Sequence, residues 1–134
     1  MQPIVIAVMS IHVLAAMFWA GTSFTLARTG GLGGEQLFRP QMGAATIAIL
    51  AGGYLWQATH AGAFATAEQV LALGAVCAII AAGVQGAMTG PAIRSLRAGT
   101  ADGVGARRRI ALAQRLAAGL LVVTVVCMVA SRYL

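Results

Sequence analysis

Lysine is absent from this 134-residue chain, and carboxylate side chains nearly so, with Glu35, Glu68 and Asp102 set against nine arginines. So few acids exclude paired-carboxylate catalysis and all-oxygen cation cages, which need several carboxylates in one place. Charged residues amount to 9% of the chain, where a soluble domain carries roughly a quarter. Two cysteines and three prolines provide neither a disulfide framework nor a proline-rich linker. There is no Gly-x-Ser-x-Gly, no His-Glu-x-x-His and no phosphate-binding glycine loop, so hydrolase and nucleotide chemistry have no motif to rest on. No span holds an Asp or Glu beyond its end turn, which argues against a small proton-coupled exporter.

What is present is apolar surface: 60% of residues are hydrophobic, more than a domain of this size can bury. Residues 3–27, 40–61, 67–89 and 108–131 are each long enough to cross a bilayer, which asks for about 20 residues. The first lacks a basic n-region and is too long for a secretory signal, so it reads as a retained span. Pro3 and Pro40 suit first helical turns, Thr66-Ala67-Glu68-Gln69 reads as a capping box, and Gly62 and Gly90-Pro91 read as stops. The expectation is one all-α domain over residues 1–134, an integral membrane four-helix bundle with up-down-up-down topology. Arg28, Arg39, Arg94, Arg97, Arg107, Arg108 and Arg109 fall in the first and third connections, whereas Arg132 lies opposite. The positive-inside rule makes those connections cytoplasmic and leaves both termini on the outer side of a bacterial-type inner membrane. Topology thus accounts for the basic balance, and with no interleaved aromatics a nucleic-acid role gains no support. Gly74, Ala78, Ala82 and Gly86 recur every fourth residue as a small-residue packing seam.

Polar groups inside hydrocarbon are costly and mark candidate sites. His12 shares a face with Ala15, Ala16, Trp19, Thr22 and Ser23, and His60 ends a stripe through Gln57, Trp56, Gly53, Ile49 and Thr46. Counted along the helices, His12 lies roughly 13 Å below the outer end and His60 about 2 Å, both in the outer half. Two imidazoles with small neighbours suit haem b, with His12 and His60 as axial ligands, Trp19, Gly53 and Trp56 near the macrocycle and Arg132 at its propionates. Met9, Met128 and Cys127 add soft donors and make copper the alternative. Cys77 and Cys127 differ in depth by roughly 10 Å, beyond disulfide reach, and are expected as free buried thiols. Gln85, Gln114 and Arg115 fall toward the cytoplasmic end, where Arg115 either snorkels to headgroups or joins the two amides in a pocket for an anionic or carbonyl group.

The segment Ile11-His12-Val13-Leu14-Ala15-Ala16-Met17-Phe18-Trp19-Ala20-Gly21 resembles the helix that opens CopD-like membrane proteins, with its His, small residues, Trp, x, Gly pattern. The closing Met128-Val129-Ala130-Ser131-Arg132-Tyr133 is similar to the end of such proteins, and a more distant likeness is to HemJ-type protoporphyrinogen oxidases. The resemblance implies that His12 ligates haem or copper. Full CopD proteins are longer with more spans, and the HemJ-type site is associated with an intramembrane lysine that this chain lacks, which disfavours porphyrinogen oxidation. The leading expectation is therefore a haem b redox protein, a membrane oxidoreductase or electron carrier exchanging electrons with a quinone or small oxidant. A copper-handling protein and an accessory subunit of a membrane complex are the alternatives, and a bundle this small is compatible with a homodimer.

Overall fold

The computed structural model describes residues 2–62, 64–99 and 102–134. They form four helices, α1 (Gln2–Arg28), α2 (Gly34–His60), α3 (Thr66–Ala98) and α4 (Gly103–Ser131), and no strand occurs among the described residues. Three of them, α1, α3 and α4, are long and apolar enough to cross a membrane. The remaining helix, α2, is as long as α1 but less apolar, because its early turns carry Glu35, Gln36, Arg39 and Gln41.

Four boundaries differ from the sequence expectation, among them the start of α4 at Gly103 rather than residue 108. Pro40 does not open α2, which begins six residues earlier at Gly34, after the left-handed Gly33. A proline inside a helix deprives the carbonyl four residues back of its donor. That carbonyl belongs to Gln36, and both Gln36 and Pro40 are exposed on the early turns, where an unpaired group is least costly. Gly90-Pro91 does not stop α3 either: Gln85–Thr89 form a π-helical turn, and Pro91 sits in the first turn of the α-helical segment that follows. The widened turn resets the hydrogen-bond ladder just where proline has no N–H to offer, so the helix runs on to Ala98 and ends at left-handed Gly99. Most of the expected Arg/Gly connection is consequently helical. Asp102 then caps α4 by accepting from the Val104 and Gly105 amides, each at 3.3 Å. Residues 100 and 101 lie outside the described residues. At the start of α3 the cap falls one residue before the expected box, with Glu68 Oε2 accepting from the Ala65 amide at 3.0 Å.

The helices pair in opposing register. His12 lies against Ala48 and Ser23 against Gln41 between α1 and α2, while Gly74 meets Thr124 and Gln85 meets Gln114 between α3 and α4. The buried cluster Trp19, Ala45, Ala48, Ala78, Ala81, Ala117 and Leu121 draws on all four helices. Of the anticipated seam on α3, Gly74 and Ala78 are buried and Ala82 and Gly86 half-buried, with Ala81 the fully buried alanine. Cys127 packs on Gly74, and Cys77 and Cys127 are both unpaired, with Cys77 only half-buried. Small side chains thus fill the inside and large ones the outside, where Leu14, Met17, Leu50, Ile79 and Val126 are exposed. In water that distribution would be an aggregating surface, whereas lipid solvates it and close approach of small residues supplies the packing.

One end of the bundle gathers the arginines. Arg107 donates to both carboxylate oxygens of Glu35 and, at 3.0 Å, to the carbonyl of Gly31, and Arg97 donates to the Glu35 carbonyl at 3.4 Å. Gly31 has to be glycine: its φ is +87°, and a Cβ there would lie 2.7 Å from the Arg107 carbonyl oxygen. The hydrogen bond from Arg107 holds the Glu35 carboxyl below its ordinary range, against an opposing effect of burial.

Two outcomes follow from this packing. A Cβ at Gly74 would sit 2.9 Å from Cys127 Cβ and 3.2 Å from the Thr124 carbonyl, whereas one at Gly119 meets nothing within 4 Å. Gly74→Ala is expected to destabilise the bundle by about 1–3 kcal/mol and Gly119→Ala to be neutral or stabilising, read by reversible unfolding in mixed micelles. Because the Glu35 pKa is lowered on folding, its contribution is complete above the ordinary value of about 4.3 and disappears as pH falls through the folded value. The thermal midpoint of the wild type should therefore exceed that of Glu35→Gln at pH 7, and the gap should close on acidification below the carboxylate range.

Candidate functional site

His12 is half-buried and faces α2, where its Nδ1 lies 2.7 Å from the Ala48 carbonyl oxygen. A carbonyl can only accept, so Nδ1 carries the proton, and in the neutral ring Nε2 keeps its lone pair. Nε2 has no protein hydrogen-bond partner among the described residues. The ring can lie this close to α2 because residue 52 is glycine: a Cβ there would come within 3.1 Å of His12 Cε1. Gly53 is exposed, with no atom within 4 Å of where its Cβ would be.

His60 sits in a different setting, at the last turn of α2. The Thr59 hydroxyl donates to the Leu55 carbonyl at 2.6 Å and so accepts from His60 Nδ1 at 2.7 Å. On its other side, His60 Nε2 lies 4.0 Å from Glu68 Oε1, and the Trp56 and His60 ring centroids are 5.9 Å apart with a tilt of 41°. The level at which His12 meets α2, between Ala48 and Gly52, is eight to twelve residues or about 12–18 Å from His60 along the helix. The structure thus brings Trp56 to His60 and Gly52 to His12, and it keeps the two histidines on separate turns. Arg132 is exposed at the C-terminal cap of α4, Met9 is exposed, Met128 half-buried, and Cys127 is buried with its Cβ against Gly74. Among the described residues no three His, Cys, Asp or Glu side chains converge as a metal group.

Trp19 belongs to another constellation, built from amides. Its indole N–H donates to Gln85 Oε1 at 2.6 Å, and Gln85 Nε2 donates to Ser23 Oγ at 2.7 Å and to Gln114 Oε1 at 2.9 Å. Gln41 and Gln114 form a reciprocal amide pair at 3.0 and 3.2 Å, Gln41 also reaches Thr22 Oγ1 at 3.0 Å, and Gln114 reaches Thr89 Oγ1 at 3.4 Å. Ser23 passes its own proton to the Trp19 carbonyl at 2.8 Å, which frees its oxygen to accept. Gln41, Gln85, Gln114, Ser23 and Thr89 are fully buried, and among the described residues no buried side-chain nitrogen or oxygen lacks a partner.

This network was only partly legible in the chain. Gln85 and Gln114 stand out as polar residues in spans, and Thr22 and Ser23 share the His12 face. Gln41 escaped notice because it follows Pro40 at what reads as a helix start rather than the second turn of a longer helix. Arg115 does not join the two glutamines. It is exposed and lines a groove with Arg107 and Arg108, since adjacent residues of a helix point about 100° apart.

Comparison with family models, with curated proteins and with solved structures returned no match. Residue chemistry alone therefore carries the functional reading.

The amide network makes its own prediction. Gln85→Leu strands the Trp19 N–H and removes the donor to Ser23 and Gln114, and a buried orphan of this kind costs about 1–3 kcal/mol. Unfolding in mixed micelles should show that loss for Gln85→Leu, while Gln57→Leu, at an exposed position, should stay within about 0.5 kcal/mol of wild type.

Proposed function

We propose that the chain is a membrane-embedded up-down-up-down bundle that holds one haem b through His12 and carries electrons between a quinone or small oxidant and a partner in the membrane. In this reading the arginine-rich end faces the cytoplasm, by the positive-inside rule, and both termini face outward across a bacterial-type plasma membrane. The observation that carries it is the setting of His12: Nδ1 is tied to the Ala48 carbonyl at 2.7 Å while Nε2 has no protein hydrogen-bond partner among the described residues. That pairing is the usual support of a ligating imidazole, because it sets the tautomer, orients the ring and raises its basicity.

The residues around His12 fit a porphyrin better than a bare ion. A porphyrin brings four nitrogens of its own and asks the protein for one or two axial donors, together with small neighbours that leave room. Ala15 and Ala16 are half-buried on the His12 face, and Gly52 leaves the facing turn of α2 without a side chain. Copper(I) needs several soft donors at one point, and among the described residues no three His, Cys, Asp or Glu side chains converge. When bound, haem supplies one-electron chemistry. The chain's own part is to present Nε2, to hold the imidazole through Ala48, and to keep it in a low-dielectric setting. His60, with Thr59, Trp56 and Glu68 around it, is assigned to the end turn of α2 rather than to the iron.

The test is an optical spectrum of detergent-purified protein from haem-replete cells, oxidised and then dithionite-reduced, with pyridine haemochrome quantitation. The expected result is a Soret band at about one haem per chain, lost in His12→Ala and kept in His60→Ala. A featureless spectrum overturns the proposal, and metal analysis then separates a copper-binding protein from an accessory subunit. Loss of haem from His60→Ala with retention by His12→Ala would reassign the ligand.

A further inference from the structure

A groove of about 950 Å³ opens at the arginine-rich end, between the loop that joins α1 to α2 and the first turns of α4. Its lining is two-natured. Leu32, Val104 and Leu112 are exposed apolar residues along it, and three arginines, Arg107, Arg108 and Arg115, complete it. Arg107 is already neutralised by Glu35. Arg108 and Arg115 have no ion-pair partner among the described residues, and the other acid at this end, Asp102, is engaged in capping α4.

The two open arginines are seven residues apart, so they project from nearly one face of α4, their Cα atoms about 10 Å apart along its axis. Arg115 is about 12 Å deeper along the helix than the Arg107 ion pair, and it is exposed. An unpaired arginine facing hydrocarbon is costly unless an anion meets it. Long side chains on a helix lean toward its N-terminus, which for α4 is the arginine-rich end, so Arg108 and Arg115 both reach toward the headgroup level at that end. The ligand that satisfies both halves of the lining carries one negative group and an apolar tail.

We propose that this groove binds one anionic phospholipid of the adjacent leaflet, its phosphate held between Arg108 and Arg115 and its acyl chain laid along Leu112 and the neighbouring apolar wall. The site is independent of any cofactor at His12. It differs from a diffuse basic surface in depending on two particular arginines, whereas Arg94, at the same end but outside the groove, contributes only general attraction.

Native mass spectrometry of the full chain in neutral detergent, offered equimolar phosphatidylglycerol and phosphatidylcholine, tests this directly. The expected result is one phosphatidylglycerol retained per chain, favoured roughly thirtyfold over phosphatidylcholine, as two arginines near a headgroup warrant. Arg108→Gln with Arg115→Gln should bring the two lipids to parity, and Arg94→Gln should leave the preference intact. Equal retention of the two lipids by the wild type overturns the proposal without recourse to any variant. A loss in Arg94→Gln as large as in the double variant overturns it in favour of a diffuse field. Displacement of phosphatidylglycerol by millimolar inorganic phosphate, with an equal gain in thermal stability, overturns the lipid assignment in favour of a simple anion.

Discussion

The contact on which the rest of the bundle depends is the amide pair of Gln41 and Gln114, cross-linked by Gln85. A glutamine amide has two donors and two lone pairs, and inside hydrocarbon each has to find a protein partner. Here α1 supplies Ser23, Thr22 and the Trp19 indole, α2 supplies Gln41, α3 supplies Gln85 and Thr89, and α4 supplies Gln114. Sliding any helix by one turn would strand several of these groups at once, whereas alanine against alanine slides at little cost. The polar centre therefore sets the register that the apolar packing leaves loose. The π-helical turn belongs to the same device. Gln85 and Thr89, its first and last residues, both reach Gln114, and beyond it the helix continues past Pro91.

Around that centre the usual relation of size to burial is inverted. Alanine dominates the interior, and leucine, isoleucine, valine and phenylalanine the periphery. With lipid outside, burying a large aliphatic side chain brings no solvent gain, so helices associate through closeness of backbone and through hydrogen bonds. Gly74 shows both at once: its missing side chain admits Cys127, and its carbonyl accepts from Thr124 Oγ1 at 2.9 Å. The His12 contact repeats the arrangement on the other helix pair, with Gly52 giving access and the Ala48 carbonyl accepting.

Charge is separated from both features. Apart from Arg132, the arginines sit toward one end, where one of them closes the Glu35 ion pair and two others line an apolar groove. His12 lies a long way up α1 from that end, and between the two stands the satisfied amide centre. The molecule thus divides along its axis into an anion-attracting end, a rigid middle and a quieter region in which an imidazole keeps a free lone pair.

How much of this was written in the chain depends on whether the cause is local. Hydrophobic run length, the sparsity of charge and the clustering of Arg28, Arg39, Arg94, Arg97 and Arg107–Arg109 are properties of contiguous sequence, and they determined an all-helical, membrane-compatible protein with one basic end. His12 stood out for the same reason, as a lone polar ring within an apolar run. Pro40 and Pro91 misled because a proline ends a helix only where its neighbours cannot absorb the missing hydrogen bond, and exposure on α2 and a π-helical turn on α3 absorbed it. The separation of His12 from His60 and the union of Gln41 with Gln114 were decided by tertiary structure alone. Each depends on the relative phase and register of two helices far apart in sequence, which follow from mutual packing and from no local pattern of residues.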